Sequence, residues 1–256
     1  MLLVIDVGNT NTVLGLYDGD RMIHSWRLTT ERQRTTDEYG ILCRNLFDLS
    51  GVKWEAITAV AIASVVPPLN YTLRRMSSVY FHVEPLFIDP AVNSGMPVLY
   101  NPPSDVGADR IVNGVAAYER YGGPCVIVDF GTATTFDAIS KDGEYLGGVI
   151  CPGIQVSAEA LFARAARLPR VEISRTERVI GTSTVTSIQS GLYNGYVGLV
   201  EGILRRMVDE LGGSARVIAT GGLATMIGKG TDLIDSVDPD LTLEGLRLIY
   251  ERNRHE

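Results

Sequence analysis

The sequence predicts an α/β protein of two similar halves, each a mixed sheet flanked by helices, and three observations carry that prediction. Two segments, DVGNTNT from Asp6 and DFGTATT from Asp129, recur 123 residues apart in a chain of 256. Each follows an apolar run, Leu2 to Ile5 or Val126 to Val128, and each precedes a second strand-like segment, TVLGLY from Thr12 or TFDAIS from Thr135. An Asp-Gly pair then follows in both, Asp18-Gly19 and Asp142-Gly143. Asp-Gly between strand-like runs signals a hairpin because these residues tolerate positive φ. Each half therefore opens strand, tight turn, strand, hairpin, strand.

The remaining elements follow in order. Asp37 to Leu49 is a helical stretch, AVAIASVV at Ala59 to Val66 is apolar throughout and reads as a buried strand, and Pro67-Pro68 forces a turn. A helix over Leu69 to Tyr80 and a strand over Pro85 to Asp89 complete the first half. In the second half, helices over Gln155 to Ala166 and Val185 to Leu211 precede a strand over Arg216 to Gly222. Strands first, then helix alternating with strand, gives a mixed sheet with helical cover. No Gly-, Ser- or Pro-rich linker marks the boundary, so the repeat places it near residues 112 to 122. The expected domains are 1–116 and 117–256, with the active-site cleft between them.

Composition narrows the function. Hydrophobic residues at 45% and charged residues at 21% are those of an ordinary folded protein. Lys and Arg number 23 against 30 Asp and Glu, and no basic run stands out, which argues against nucleic acid and anionic membrane as partners. The opening MLLVID lacks a basic leader, and no apolar run approaches the ~20 residues of a membrane helix. A cytoplasmic protein is expected. Cys43, Cys125 and Cys151 are odd in number and scattered, as suits reduced thiols. His24, His82 and His255 lack neighbours at ligand spacing, which argues against zinc. Gly222 to Gly228-Lys229 misses P-loop spacing by one residue, and no Gly-x-Ser-x-Gly elbow is present.

The aspartate turns suit phosphate chemistry. Gly lets the backbone turn sharply and approach a ligand, successive N–H groups can aim at phosphate oxygens, and Thr and Asn add donors. The carboxylate would hold Mg²⁺ or its waters, since Mg²⁺ prefers oxygen ligands. One Asp-x-Gly copy reads as a plain strand-to-strand turn; two in matched positions favour phosphate. Along the helix after GTST, the apolar spacing from Leu192 to Ile203 reads as core or subunit packing, and Gly191, Gly195, Gly198 and Gly202 favour close helix contact.

Paired turns of this kind resemble the phosphate signatures of the actin, sugar kinase and Hsp70 superfamily, which implies tandem ribonuclease-H-like domains with ATP between them. DVGNTNTVLGLYDGD, ASVVPPL at Ala63, DVGADRIVNGVAAYERYG at Asp105, DFGTATTFD, GGVICPGI at Gly147, GTSTVTSIQSG at Gly181 and the closing LTLEGLRLIYERN resemble type III pantothenate kinase from residue 1 to residue 253. That resemblance implies ATP and pantothenate as substrates, phosphorylation to 4'-phosphopantothenate at the head of coenzyme A synthesis, and a homodimer. It implies an ATP loop of Asp6, Val7, Gly8, Asn9, Thr10, Asn11, Thr12 and Val13, with Thr132 a further ATP contact. Asp109 is the implied base. Tyr100, Gly107, Ala108, Asp109, Arg110 and Thr184 are implied pantothenate contacts, and Arg110 suits the substrate carboxylate because guanidinium matches it bidentately. Asp129 is implied to hold a monovalent cation, K⁺ or NH₄⁺, and Asp6 is expected to hold the Mg²⁺ of ATP through water.

Plainer readings stand beside these. GADR without the family is a surface Asp-Arg pair, GTST is a helix cap supplied by Ser183 or Thr184, and TGGLA at Thr220 is a weak sign of a nucleoside turn. Alternative functions are a kinase or phosphatase of the same superfamily acting on another substrate, or a nucleotide-binding regulator related to Bvg accessory factor.

Overall fold

A computed structural model describes residues 1–89, 92–165 and 167–254. The expected helix end at Ala166 and the residue His255 lie outside the described residues. By Cα proximity the chain forms two units, Met1–Met96 with Tyr100–Ala116 and Leu241–Glu256, and Pro97–Leu99 with Ala117–Asp240.

The first unit opens with β1 (Leu2–Val7), β2 (Asn11–Asp18) and β3 (Arg21–Thr29), followed by α1 (Thr36–Leu49), β4 (Ala59–Ser64), α2 (Pro67–Met76) and β5 (Leu86–Phe87). Its sheet runs β3-β2-β1-β4-β5, antiparallel on the hairpin side and parallel where α1 and α2 make the crossovers. The hairpin closes on a two-residue loop led by Gly19 at φ +62°, between paired Asp18 and Arg21. Alternation sends Leu3, Ile5 and Val7 to one face, where they pack with Tyr39, Cys43 and Phe47 of α1 and Leu69, Leu73 and Met76 of α2. Helix α1 starts on a capping box in which Thr35 and Glu38 exchange hydrogen bonds, a device worth about 1 kcal/mol. The expected helix to Tyr80 becomes α2 and then a wider turn over Ser77–Phe81, ended by His82 in the left-handed region.

Helix α3 (Ala108–Tyr121) follows, beginning in the first unit and ending in the second. The second unit then repeats the plan with β6 (Cys125–Phe130), β7 (Ala133–Ile139), β8 (Tyr145–Pro152), α4 (Ile154–Arg164), α5 (Thr184–Glu210), β9 (Arg216–Thr220), α6 (Ala224–Gly228) and β10 (Ser236–Val237). Its sheet, β10-β9-β6-β7-β8, has the order and directions of the first. Val126, Val128, Phe130 and Phe136 pack against Tyr193, Tyr196, Val200 and Leu204 of α5.

Helix α7 (Leu241–Asn253) belongs to the first unit, where a division at residues 116 and 117 had left it with the second half. The reason is steric. Its Leu243 lies over Gly15 of β2, where an added Cβ would meet Leu243 Cδ1 at 3.0 Å, and Gly245 lets α7 approach the Val112 carbonyl of α3. Helix α7 thus covers the sheet face that α1 and α2 leave open. Among the described residues no helix is long and apolar enough to cross a membrane.

The register corrects the alignment of the repeat. Asp6 pairs across the turn with Val13, but Asp129 pairs with Thr135, so the first turn is one residue longer. Thr12 therefore matches Thr134, not Thr135; both hydroxyls are buried, and the burial patterns of β2 and β7 agree only in that register.

Candidate active site

Both aspartates sit at the penultimate position of a central strand, half-buried, with their apolar neighbours turned into the core. In the first turn the Gly8 N–H donates to the Asn11 carbonyl at 2.9 Å. Thr30, just past β3, braces the turn from the side: its N–H donates to the Thr10 carbonyl at 2.9 Å and its hydroxyl donates to the Gly8 carbonyl at 2.7 Å. The buried Thr12 hydroxyl shares a 2.9 Å hydrogen bond with Thr30 Oγ1. Asn9 and Thr10 at the tip remain exposed.

The second turn is braced in the same manner by different residues. The Gly131 N–H donates to the Ala133 carbonyl at 3.1 Å, and Gly153, just past β8, donates its N–H to the Thr132 carbonyl at 3.0 Å. An added Cβ at Gly153 would lie 2.4 Å from that carbonyl oxygen, so only glycine fits. Thr134 is buried against the Tyr196 hydroxyl. Thr135, opposite Asp129, donates to Asp137 Oδ2 at 3.2 Å, and the Tyr145 hydroxyl donates to Asp137 Oδ1 at 2.7 Å. Asp137 is fully buried and occupies the place that Gly15 holds in the first unit. Thr220-Gly221-Gly222, read from sequence as a weak sign of a nucleoside turn, lies at the end of β9, and its Gly221 packs on Asp129.

The Gly107–Arg110 segment forms the entry to α3. Asp109 is in the first turn of that helix, and its Oδ1 accepts the Arg110 N–H at 2.9 Å. Burial raises the Asp109 pKa above the ordinary value of 3.8, against the lowering effects of the Arg110 N–H, the Arg110 charge and its own N–H. Such a carboxylate is a stronger base than a solvated one. Arg110 is buried beside it. The segment neighbours the first turn through one residue: an added Cβ on Gly107 would touch Val65 Cγ1 at 3.7 Å, and the Val65 N–H donates to the Val7 carbonyl at 3.1 Å.

The first unit thus carries Asp6 to Val13, half-buried Tyr100 and Gly107 to Arg110, and the second carries Asp129, Thr132 and Thr184. Ser183, not Thr184, caps α5, with Thr186 completing the box; Thr184 is the first helical residue and stays exposed, its hydroxyl not taken by the cap. Sequence reasoning missed Thr30 altogether. Gly153 and Asp137 lay in the quoted motifs GGVICPGI and DFGTATTFD without a role of their own, and Gly221 was read only as part of the TGGLA segment.

The donors around both aspartates are carboxylate, hydroxyl and carbonyl oxygens, a set that fits Mg²⁺ or K⁺ and not a soft metal. Among the described residues no three His, Cys, Asp or Glu side chains gather into a ligand cluster. A cation here would draw on oxygens other than such a cluster.

Two units of identical sheet order, each with a braced Asp-x-Gly turn between its first two strands, define the actin, sugar kinase and Hsp70 class of fold. The activator of the 2-hydroxyisocaproyl-CoA dehydratase from Clostridium difficile, solved with bound ADPNP, shares that fold at TM-score 0.55 and 14% identity, over 99% of this chain and 96% of that one. The family model for type III pantothenate kinase matches residues 2–206. Type III pantothenate kinases from Koribacter versatilis and Anaeromyxobacter sp. are 58% and 59% identical, each over 99% of this chain and over 96% and 100% of their own lengths. The chain belongs to the type III pantothenate kinase family.

Proposed function

We propose that this protein transfers the γ-phosphoryl group of ATP to the primary hydroxyl of pantothenate, giving 4'-phosphopantothenate and ADP at the start of coenzyme A synthesis. The observation that carries the reading is the half-buried Asp109, raised in pKa, next to Arg110 and one residue's contact away from the Asp6 turn. The pantothenate hydroxyl oxygen forms the new bond to the γ-phosphorus as the bond to the bridging oxygen of ADP breaks. Its proton passes to Asp109. Enzymes of phosphoryl transfer mainly position groups and stabilise charge, which is the task open to the two turns. Gly8 through Val13 and Thr132 contact ATP; Tyr100, Gly107, Ala108, Arg110 and Thr184 contact pantothenate, with Arg110 on its carboxylate.

Asp6 would hold Mg²⁺ through water and Asp129 would hold K⁺ or NH₄⁺, cations that would supply neutralisation of charge on the phosphate oxygens. We further propose a cytoplasmic homodimer. The exposed glycines 191, 195 and 198 of α5, with open space beyond each Cα, support close approach of a second helix there. ADP release measured with and without pantothenate, and with K⁺ exchanged for choline, tests the reaction. Absence of pantothenate-dependent turnover sinks the substrate, and indifference to K⁺ and NH₄⁺ sinks the cation.

A further inference from the structure

We propose that Arg32 is a further contact for the nucleotide phosphates, a guanidinium held at the Asp6 turn by Asn9. Strand β3 ends at Thr29, and Thr30 is fastened to the turn by the three hydrogen bonds to Thr10, Gly8 and Thr12. From that anchor the chain brings Arg32 back over the tip, where Nη2 donates to Asn9 Oδ1 at 3.2 Å. Asparagine is neutral, so it orients the guanidinium without cancelling its charge. Among the described residues Arg32 has no carboxylate partner. Arg34, two residues on, is engaged elsewhere: it donates to the Thr29 carbonyl at 3.4 Å and lies 5.3 Å from the Tyr39 ring centroid.

The second unit supplies an independent comparison. Gly153 matches Thr30 in bracing its turn, and there the chain enters α4 at once, with Gly153 as an N-cap that has no side-chain hydrogen bond. The dipole of a helix start brings positive potential to that place. In the first unit residues 31–35 intervene before α1, so no helix starts there and the positive potential comes from Arg32 instead. Guanidinium suits this task because its fork of donors matches phosphate oxygens. An exposed Arg–Asn contact alone is worth little. The unneutralised charge at the braced tip, and its counterpart in the repeat, set this one apart.

The inference rests on the reading of the Asp6 turn as a phosphate grip, and the full-length protein tests the two separately. Calorimetric titration with ATP, ADP and AMP is compared for wild type, Arg32→Gln, Arg32→Lys, Arg34→Gln and Gly8→Val, with steady-state KM for both substrates. Arg32→Gln is expected to weaken ATP about tenfold, the scale of one charge-assisted hydrogen bond, and to leave AMP affinity, pantothenate KM and Tm unchanged. Arg32→Lys recovers part of the loss. Arg34→Gln lowers Tm and leaves ATP affinity unchanged. If Arg32→Gln binds ATP like wild type while Gly8→Val has lost it, Arg32 is a surface residue and the inference fails alone. If folded Gly8→Val also binds ATP like wild type, the phosphate-grip reading fails and takes the inference with it.

Discussion

Gly221 stands directly against Asp129. Its φ is +89°, and an added Cβ would lie 2.5 Å from Asp129 Oδ1 and 2.7 Å from the Phe130 nitrogen. A side chain there must push the carboxylate away or move β6, and it also strains the backbone. Gly221→Ala is expected to cost about 1–3 kcal/mol of stability and, if Asp129 holds K⁺ as proposed, to raise the K⁺ concentration needed for activity. Thermal unfolding and a K⁺ titration of the rate check both. An unchanged K⁺ response in a destabilised variant would confine Gly221 to folding.

Asp109→Asn keeps the shape of the side chain and removes the proposed base, so kcat is expected to fall by about 10²–10⁴. Because burial raises the Asp109 pKa in the folded state, ionisation opposes folding at neutral pH, and stability is gained as pH falls through the raised pKa. The asparagine variant is therefore as stable as wild type or more so at pH 7. Its Tm advantage disappears in acid, where both chains are neutral at this position. Paired melts across pH read the sign.

The pH profile of kcat/KM gives a separate test. A base with raised pKa loses its proton later, so the acid limb is expected to fall at a pH above the ordinary carboxylate value of 3.8. A limb at or below that value would exclude Asp109 as the group whose ionisation controls the rate.

Tyr145→Phe removes one of the donors that face the buried Asp137 carboxylate. Leaving a buried acceptor short of a hydrogen bond costs about 1–3 kcal/mol, measured by denaturant unfolding. The loss is expected to shrink in Asp137→Asn, because the two residues act as a pair.

A chain ended at Asp240 tests the return of α7. It would uncover Val4 and Gly15 of the first sheet, and truncating only Leu243 to Ala, a residue 3% exposed, is expected to cost about 2–5 kcal/mol. Circular dichroism and gel filtration of both variants decide whether α7 is core or appendage.

The strand, turn and hairpin pattern around Asp6 and Asp129 was legible because alternation and turn chemistry are local. The one-residue difference between the turns was not, since an extra Thr or Asn in a polar loop leaves no mark on composition. Pairing of Asp129 with Thr135 emerges only when β6 and β7 lie side by side. Helix α3, which presents Asp109, was legible as the GADR motif and not as a helix entry.

By itself the sequence determined that two aspartate turns recur in matched halves of an acidic α/β protein, and its motifs resembled one kinase family from end to end. Tertiary structure alone decided that Gly221 meets Asp129, that Val65 links Gly107 to Val7, and that α7 packs on the first sheet. The physical reason is range. Periodicity and turn propensity act over a few residues, whereas close approach between strands and helices distant in the chain depends on packing that no local pattern encodes.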